Sequence, residues 1–424
     1  MTIQKTASIF SITACCTLLF TTPLIADTNC QEKGNVDSVV NMIKCGSIDG
    51  SIRFNSYTLN NAYFSGRSQD TTSIGGFVTY KTAPFYGFQV GLGIEGQHRL
   101  AKGSNPVGEL ADNEFGLGEA YLKWQYEKFS ITAGNQRLNL PFVGDYGNFR
   151  VLPFLYRAAD IQYGDKDNFI RATAINEYKS YATNSFNKGS RLKDDPFIGL
   201  DETTDGMLAL GGAKKFQLGE NYLKGQIWVE HYIDLLTLYF AQTDYGLPAQ
   251  AWKPELGLQA MYGHDTGDSY LGNVDSKIIG GQVKFKPIDK LTWKLAYNHM
   301  FNEADAWHNG ALPTPYAHNV SSGPIFAQPF FTSTQDLGAG NAWSTELTGS
   351  ITDHLTLGGR LTHVRAANSA EDENNRMTEY LISINYKFYG SLEGLVLSNF
   401  AGMQKREGNS DEFWQNRLQL TYNF

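Results

Sequence analysis

The residues best able to act on a charged solute are basic. Arg53, Lys81, Lys123, Arg171, Lys224, Lys284, Lys294, Arg360, Lys387 and Arg417 each fall on the polar side of an alternating stretch. Guanidinium and ammonium groups perform no covalent chemistry by themselves. Lining a watery passage, they lower the electrostatic barrier for anions, and arginine can hold a carboxylate with two parallel bonds while passing it on. Acids at comparable positions are fewer, with Glu95, Glu119, Glu230 and Glu379 the main ones. Between elements, the stretch from Arg137 to Asp160 is compact, aromatic and rich in turn formers, and carries Arg137, Asp145, Arg150 and Arg157. A loop this apolar would be poorly solvated pointing outward. Folded inward, it would bury its Phe and Tyr side chains and turn its charges toward a channel.

Covalent chemistry has no comparable support. The sequence contains neither a Gly-x-Ser-x-Gly elbow nor a His-Glu-x-x-His pair, and His98, His231, His264, His299, His308, His318, His354 and His363 are scattered. No metal site or cofactor is expected. Glu371, Asp372 and Glu373 could hold a divalent ion bridging lipopolysaccharide, although such a run is more often simply solvated.

The elements that position these residues are strands. Phe424, Tyr422, Leu420 and Leu418 alternate with Asn423, Thr421, Gln419 and Arg417, and the pattern recurs from Tyr380 to Phe388 and from Leu291 to Tyr297. Period-two alternation places the two sets on opposite faces. Short turns at Tyr126 to Phe129, Gly164 to Asn168, Lys286 to Leu291 and Thr352 to Leu355 alternate with long polar stretches. These span roughly 60–71, 99–114, 138–157, 177–205, 264–276, 302–340, 366–375 and 403–411. Short turns at one end and long loops at the other predict an all-β transmembrane antiparallel barrel of about eighteen strands, beginning near Ile48 and ending with Phe413 to Phe424. At that size side chains alone cannot fill the lumen, so water enters.

The ends place the chain outside the cytoplasm. Lys5, an apolar run from Ala7 to Phe20 and a small-residue stretch ending at Ala26 have the order of a secretory signal over residues 1–26. A rival lipoprotein cleavage at Cys15 is disfavoured by the apolar run continuing through Leu18, Leu19 and Phe20. Cys30 and Cys45 then remain as an even pair in a disulfide-permissive compartment, either bonded or as two free thiols. They lie in segment 27–47, a short periplasmic or lumen-tucked element with helix-like spacing of Val36, Val39, Val40 and Ile43. The barrel domain follows over 48–424. The formal net charge of −8 argues against nucleic acid as a partner. Expected partners are small hydrophilic solutes or ions, outer-membrane lipids and lipopolysaccharide, and the barrel assembly machinery through the last strand. Monomer and homo-trimer both remain open.

Local motifs add a resemblance. Leu117-Gly118-Glu119-Ala120-Tyr121-Leu122, then Gly134 with Gln136, then Arg150-Val151-Leu152-Pro153 followed by Tyr156 resemble the OprD family of substrate-selective porins, in particular its epsilonproteobacterial branch. The resemblance implies an eighteen-stranded barrel narrowed by inward-folded loops and a ladder of arginines and lysines that guides carboxylate-bearing solutes. Carried onto this chain, it sets Arg150 and Asp145 at the narrowest point and Arg360, Lys387 and Arg417 along the ladder. Two other readings compete with this passive, anion- or carboxylate-preferring pore. One is a barrel for hydrophobic substrates or adhesion that works through the external loop Asn302 to Asn341. The other is a membrane-embedded hydrolase.

Overall fold

A computed structural model describes residue 30 and residues 35–144, 149–181, 183–194, 198–317, 324–332, 338–367 and 375–424. The expected signal segment 1–26, Asp145, His318 and the acidic run at 371–373 lie outside the described residues.

Eighteen antiparallel strands form one continuous sheet. The first, Ser47–Asn60, pairs with its sequence neighbour Gln69–Lys81 and also with the last, Phe413–Asn423. That second pairing closes the cylinder and removes both sheet edges, whose unpaired N–H and C=O groups lipid could not satisfy. Residues 51 to 60 alternate cleanly. Ile48 and Ile52 are exposed on the outer face, whereas Ser51, Arg53, Asn55 and Tyr57 are buried on the inner one. The same alternation runs along Asn375–Lys387, where Ile382 is 64% exposed and Glu379 is fully buried. Aromatic side chains mark the two ends of the apolar band. Trp124, Tyr126 and Phe129 pack together at the short-turn end, and Tyr239, Tyr262 and His264 at the other.

Connections follow local chemistry. In the turn after Gly164, the Asp165 carboxylate accepts hydrogen bonds from the Asp167 and Asn168 N–H groups, both at 2.9 Å. Those bonds hold its pKa below the usual carboxylate range. One connection departs from the expected pattern: the link between Asn221–Tyr232 and Leu236–Gly246, at the long-loop end, is only residues 233–235. The apolar stretch across it therefore carries no loop signature in the sequence.

The described residues 35–46 pack against the first periplasmic turn. The Val36 N–H donates to the Pro84 carbonyl, Ala83 N–H to Met42 O, and the outward-facing Tyr80 hydroxyl to Ile43 O. Helix Val39–Lys44 forms as its spacing predicts, but Val39, Val40 and Ile43 remain exposed. Cys30 and Cys45 form a disulfide with a Cα–Cα distance of 5.5 Å.

Glycine is required where strands approach most closely. Gly76 has φ +145°, and a Cβ there would lie 1.8 Å from the Ser51 carbonyl oxygen of the first strand. Gly76→Ala is expected to destabilise the folded barrel by about 1–3 kcal/mol. A thermal or denaturant unfolding midpoint equal to that of wild type would show that the strand pair tolerates the methyl group.

Candidate functional site: a lumen narrowed by two inward loops

Loop 137–154 leaves the end of strand Phe129–Gln136 and turns into the lumen. Its first residues alternate: Leu138 and Leu140 are buried, while Arg137 and Asn139 are exposed to the channel. The apolar side joins a core inside the barrel that includes Phe142, Phe154, Tyr156, Tyr178, Tyr232 and Phe240. A second loop enters the same space. Two of its described stretches, 311–317 and 324–332, bury Leu312, Tyr316, Ile325, Phe326, Phe330 and Phe331. The two loops meet in a parallel pairing of Tyr316 with Val143 and Ala317 with Gly144. A third contact comes from the connection preceding strand Met207–Leu218, where Arg191 N–H donates to Pro315 O. Residues 311–317 and 324–332 of the loop from Asn302 to Asn341 are thus packed inside the barrel, whereas 302–309 stay exposed or half-exposed. The expectation that this loop works outside the cell does not hold for the two buried stretches. Its Tyr and Phe content is the same signal that placed 137–154 inward.

The wall fastens both loops. Phe149 O accepts hydrogen bonds from Asn55 Nδ2 (2.8 Å), Tyr57 Oη (2.5 Å) and Gln419 Nε2 (3.2 Å). Arg53 donates to Arg150 O at 2.5 Å. Arg150 in turn is 2.5 Å from Glu109 Oε2, and Arg417 is 3.1 Å from Glu109 Oε1. Each arginine also covers a ring 4.7 Å away, Tyr181 for Arg150 and Tyr57 for Arg417. Side-chain exposure is 3% for Arg150 and 7% for Glu109. These arginines hold loops to wall and are hardly accessible to a passing solute. On the other loop, the buried Glu379 carboxylate accepts the Phe330 and Phe331 N–H groups at 2.5 and 2.9 Å, and Asn298 Oδ1 accepts Ala327 N–H at 2.6 Å. Arg360 donates to Gln328 O.

The accessible charges lie elsewhere on the inner wall. Arg137 is 38% exposed, 3.6 Å from Glu119, and its guanidinium lies 3.8 Å over the Phe77 ring. Arg171 pairs with Asp160 at 2.7 Å and donates to Asn139 O at 3.0 Å. Toward the periplasm, Lys81 meets Asp49 at 3.0 Å and Lys224 meets Asp167 at 2.9 Å. One row crosses five adjacent strands in register: Glu255, Lys284, Lys294, Glu346, Arg360. Lys284 lies 2.8 Å from Glu255, Lys294 3.1 Å from Glu346 and Arg360 4.0 Å from Glu346. The half-buried Asp244 faces the same region from the neighbouring strand.

All ten basic wall residues named from the sequence lie on the inward face, but Arg53 and Arg417 are buried under loops. Lys123 and Lys387 have no acidic partner among the described residues. Arg157 is not at the constriction. It shares the outward parity of Ile161 and Tyr163 and pairs with Glu177 at the rim. Counting by twos from Ile161 in the sequence already gives that side. Glu109, Glu255 and Glu346 were not foreseen, because each acts on residues far away in the chain.

A closed eighteen-stranded barrel with its lumen narrowed by inward loops is the architecture of a diffusion porin. The sequence matches the family profile for outer membrane porins of the OprD family over residues 91–424, and the chain belongs to that family. Solved structures with the same fold include OpdK from Pseudomonas aeruginosa (TM-score 0.75, 16% identity, 90% of this chain and 99% of that one). A BenF-like porin from Pseudomonas fluorescens Pf-5 aligns with TM-score 0.76, 16% identity and coverage of 90% and 99%. OccK2 (OpdF) from Pseudomonas aeruginosa, solved in complex with glucuronate, gives TM-score 0.74, 14% identity and coverage of 91% and 97%. No curated protein sequence matches the chain. The protein is an outer-membrane channel for small solutes.

Glu109→Gln removes the carboxylate shared by Arg150 and Arg417, at an expected cost of about 3–5 kcal/mol. Loop 137–154 should lose its fastening, so single-channel traces should become noisier or larger in conductance. Wild-type traces from the folded variant would show that the loop is held without this triad.

Proposed function

We propose that the pore passes small hydrophilic solutes by diffusion and prefers anions, carboxylates among them, to a modest degree, with residues 1–26 serving as the export signal. The observation that carries this reading is the pairing of the wall charges. Most inward cations have a carboxylate within ion-pair distance, so the field they present is much smaller than their number suggests. What remains is a small positive excess from Lys123, Lys215 and Lys387, offset in part by Asp244. Charges in a watery lumen are screened over about 8 Å at physiological salt, so selection concentrates where the passage is narrow. Arg137 is the accessible cation on the narrowing loop and would meet a carboxylate first. The row from Glu255 to Arg360 would then exchange partners with a solute bearing charge of either sign. OccK2 with glucuronate and OpdK with vanillate are solved complexes of similar barrels with small carboxylate-bearing molecules, which favours the same class here.

Purified protein in planar bilayers should give discrete conductance steps, with a reversal potential in a salt gradient showing weak anion preference. Arg137→Ala should move that potential toward cations and raise the conductance. A clear cation preference in the wild type would overturn the proposed sign, and an absence of steps from the folded barrel would overturn the pore.

A further inference from the structure

On the lipid-facing wall, the outer surface sinks into a groove of about 1210 Å³ spanning five adjacent strands from Phe169–Lys179 to Glu255–Asp265. Outward positions in this region alternate between large and small side chains. Ile227 stands in register with Gly212 on one side and Ala241 on the other, and Ala241 with Ala260. Gly225 lies one row nearer the periplasm, in register with Lys214 and Thr243. The small residues make the floor, and Leu258 and Tyr262, both exposed, stand above it.

Lys214 is the one cation lining this groove. It lies on the outward parity of Leu210 and Phe216, four residues from the strand's periplasmic end at Leu218. It has no acidic partner among the described residues. An unpaired ammonium facing lipid is costly at the membrane midplane and tolerable near the interface, where the side chain can extend toward headgroups. An apolar furrow ending at such a cation has the form of a site for an acyl chain with a phosphate at one end. The periplasmic position of Lys214 selects a glycerophospholipid of the inner leaflet over lipopolysaccharide of the outer one.

We propose that this groove binds one periplasmic-leaflet glycerophospholipid, with an acyl chain over Gly225 and Ala241 and the phosphate on Lys214. Three variants of the full-length porin test it. Gly225→Leu fills the furrow, and the nearest atom to its Cβ is 3.9 Å away, so the barrel should accept it. Lys214→Gln removes the charge. Gly359→Leu adds the same bulk at an outward position elsewhere on the barrel, where a Cβ meets nothing within 4 Å. Each is purified in detergent, checked for the folded barrel by its heat-dependent gel mobility, and titrated with dioleoyl phosphatidylglycerol under native mass spectrometry. The wild type and Gly359→Leu should retain one lipid. Lys214→Gln should weaken its binding about fivefold, the contribution of one cation near an anionic headgroup. Gly225→Leu should abolish it. Equal retention by all four folded proteins, or retention by none, would overturn the site. So would lipopolysaccharide binding in preference to the phospholipid, or a change of oligomeric state in Gly225→Leu, which would make the groove a contact between copies.

Discussion

The structure depends on the pairing of its first strand with its last. Ser51 to Asn60 run in register with Asn423 to Trp414, and without that ladder two edges of unsatisfied backbone would face lipid. Once the cylinder closes with eighteen strands, its interior is too wide for wall side chains to fill. Loops must do so, and this makes the interior unusual for a membrane protein. It combines an aromatic core built around Phe142, Tyr156 and Tyr316 with a remaining watery passage edged by ion pairs.

Two kinds of charge therefore coexist on the inward face. Arg53, Arg150 and Arg417 are buried among carbonyls, rings and a shared carboxylate, where they organise loops. Arg137, Lys284 and Lys294 keep contact with water while paired. A count of basic residues treats the two kinds alike. Burial and partner separate them, and only the second kind can exchange its carboxylate for one on a solute.

Much of the barrel was legible in the sequence because a period of two is a local property. Tyr380, Ile382 and Ile384 declare their face without knowledge of any other strand. Loop 137–154 was legible for a similar reason, since its apolar composition is incompatible with water wherever its ends are anchored. Partnerships were not legible. Lys294 meets Glu346 through the register of strands separated by a long loop, and Glu109 bridges a residue 41 positions later and another near the chain's end. Such contacts follow from stagger and closure, which no window of residues encodes. Arg157 is a different case, because its outward face could have been read from Ile161 and Tyr163 but was outweighed by its proximity to an inward loop.

The parallel contact of Val143 and Gly144 with Tyr316 and Ala317 joins two segments that the chain separates by more than 160 residues. Each segment is tied to its own stretch of wall, one through Phe149 and Arg150 and the other through Glu379 and Asn298. The junction packs on one wall, where Tyr316 meets Tyr156, Tyr178 and Tyr232, and at the other wall the Phe149 and Phe330 rings lie 5.1 Å apart beside Phe400, so the two segments cross the lumen side by side. Two segments joined at both walls have few independent ways to move: displacing one loads the other at both junctions. Fluctuations of the passage are thus expected to be concerted, with the aperture changing as one mechanical unit.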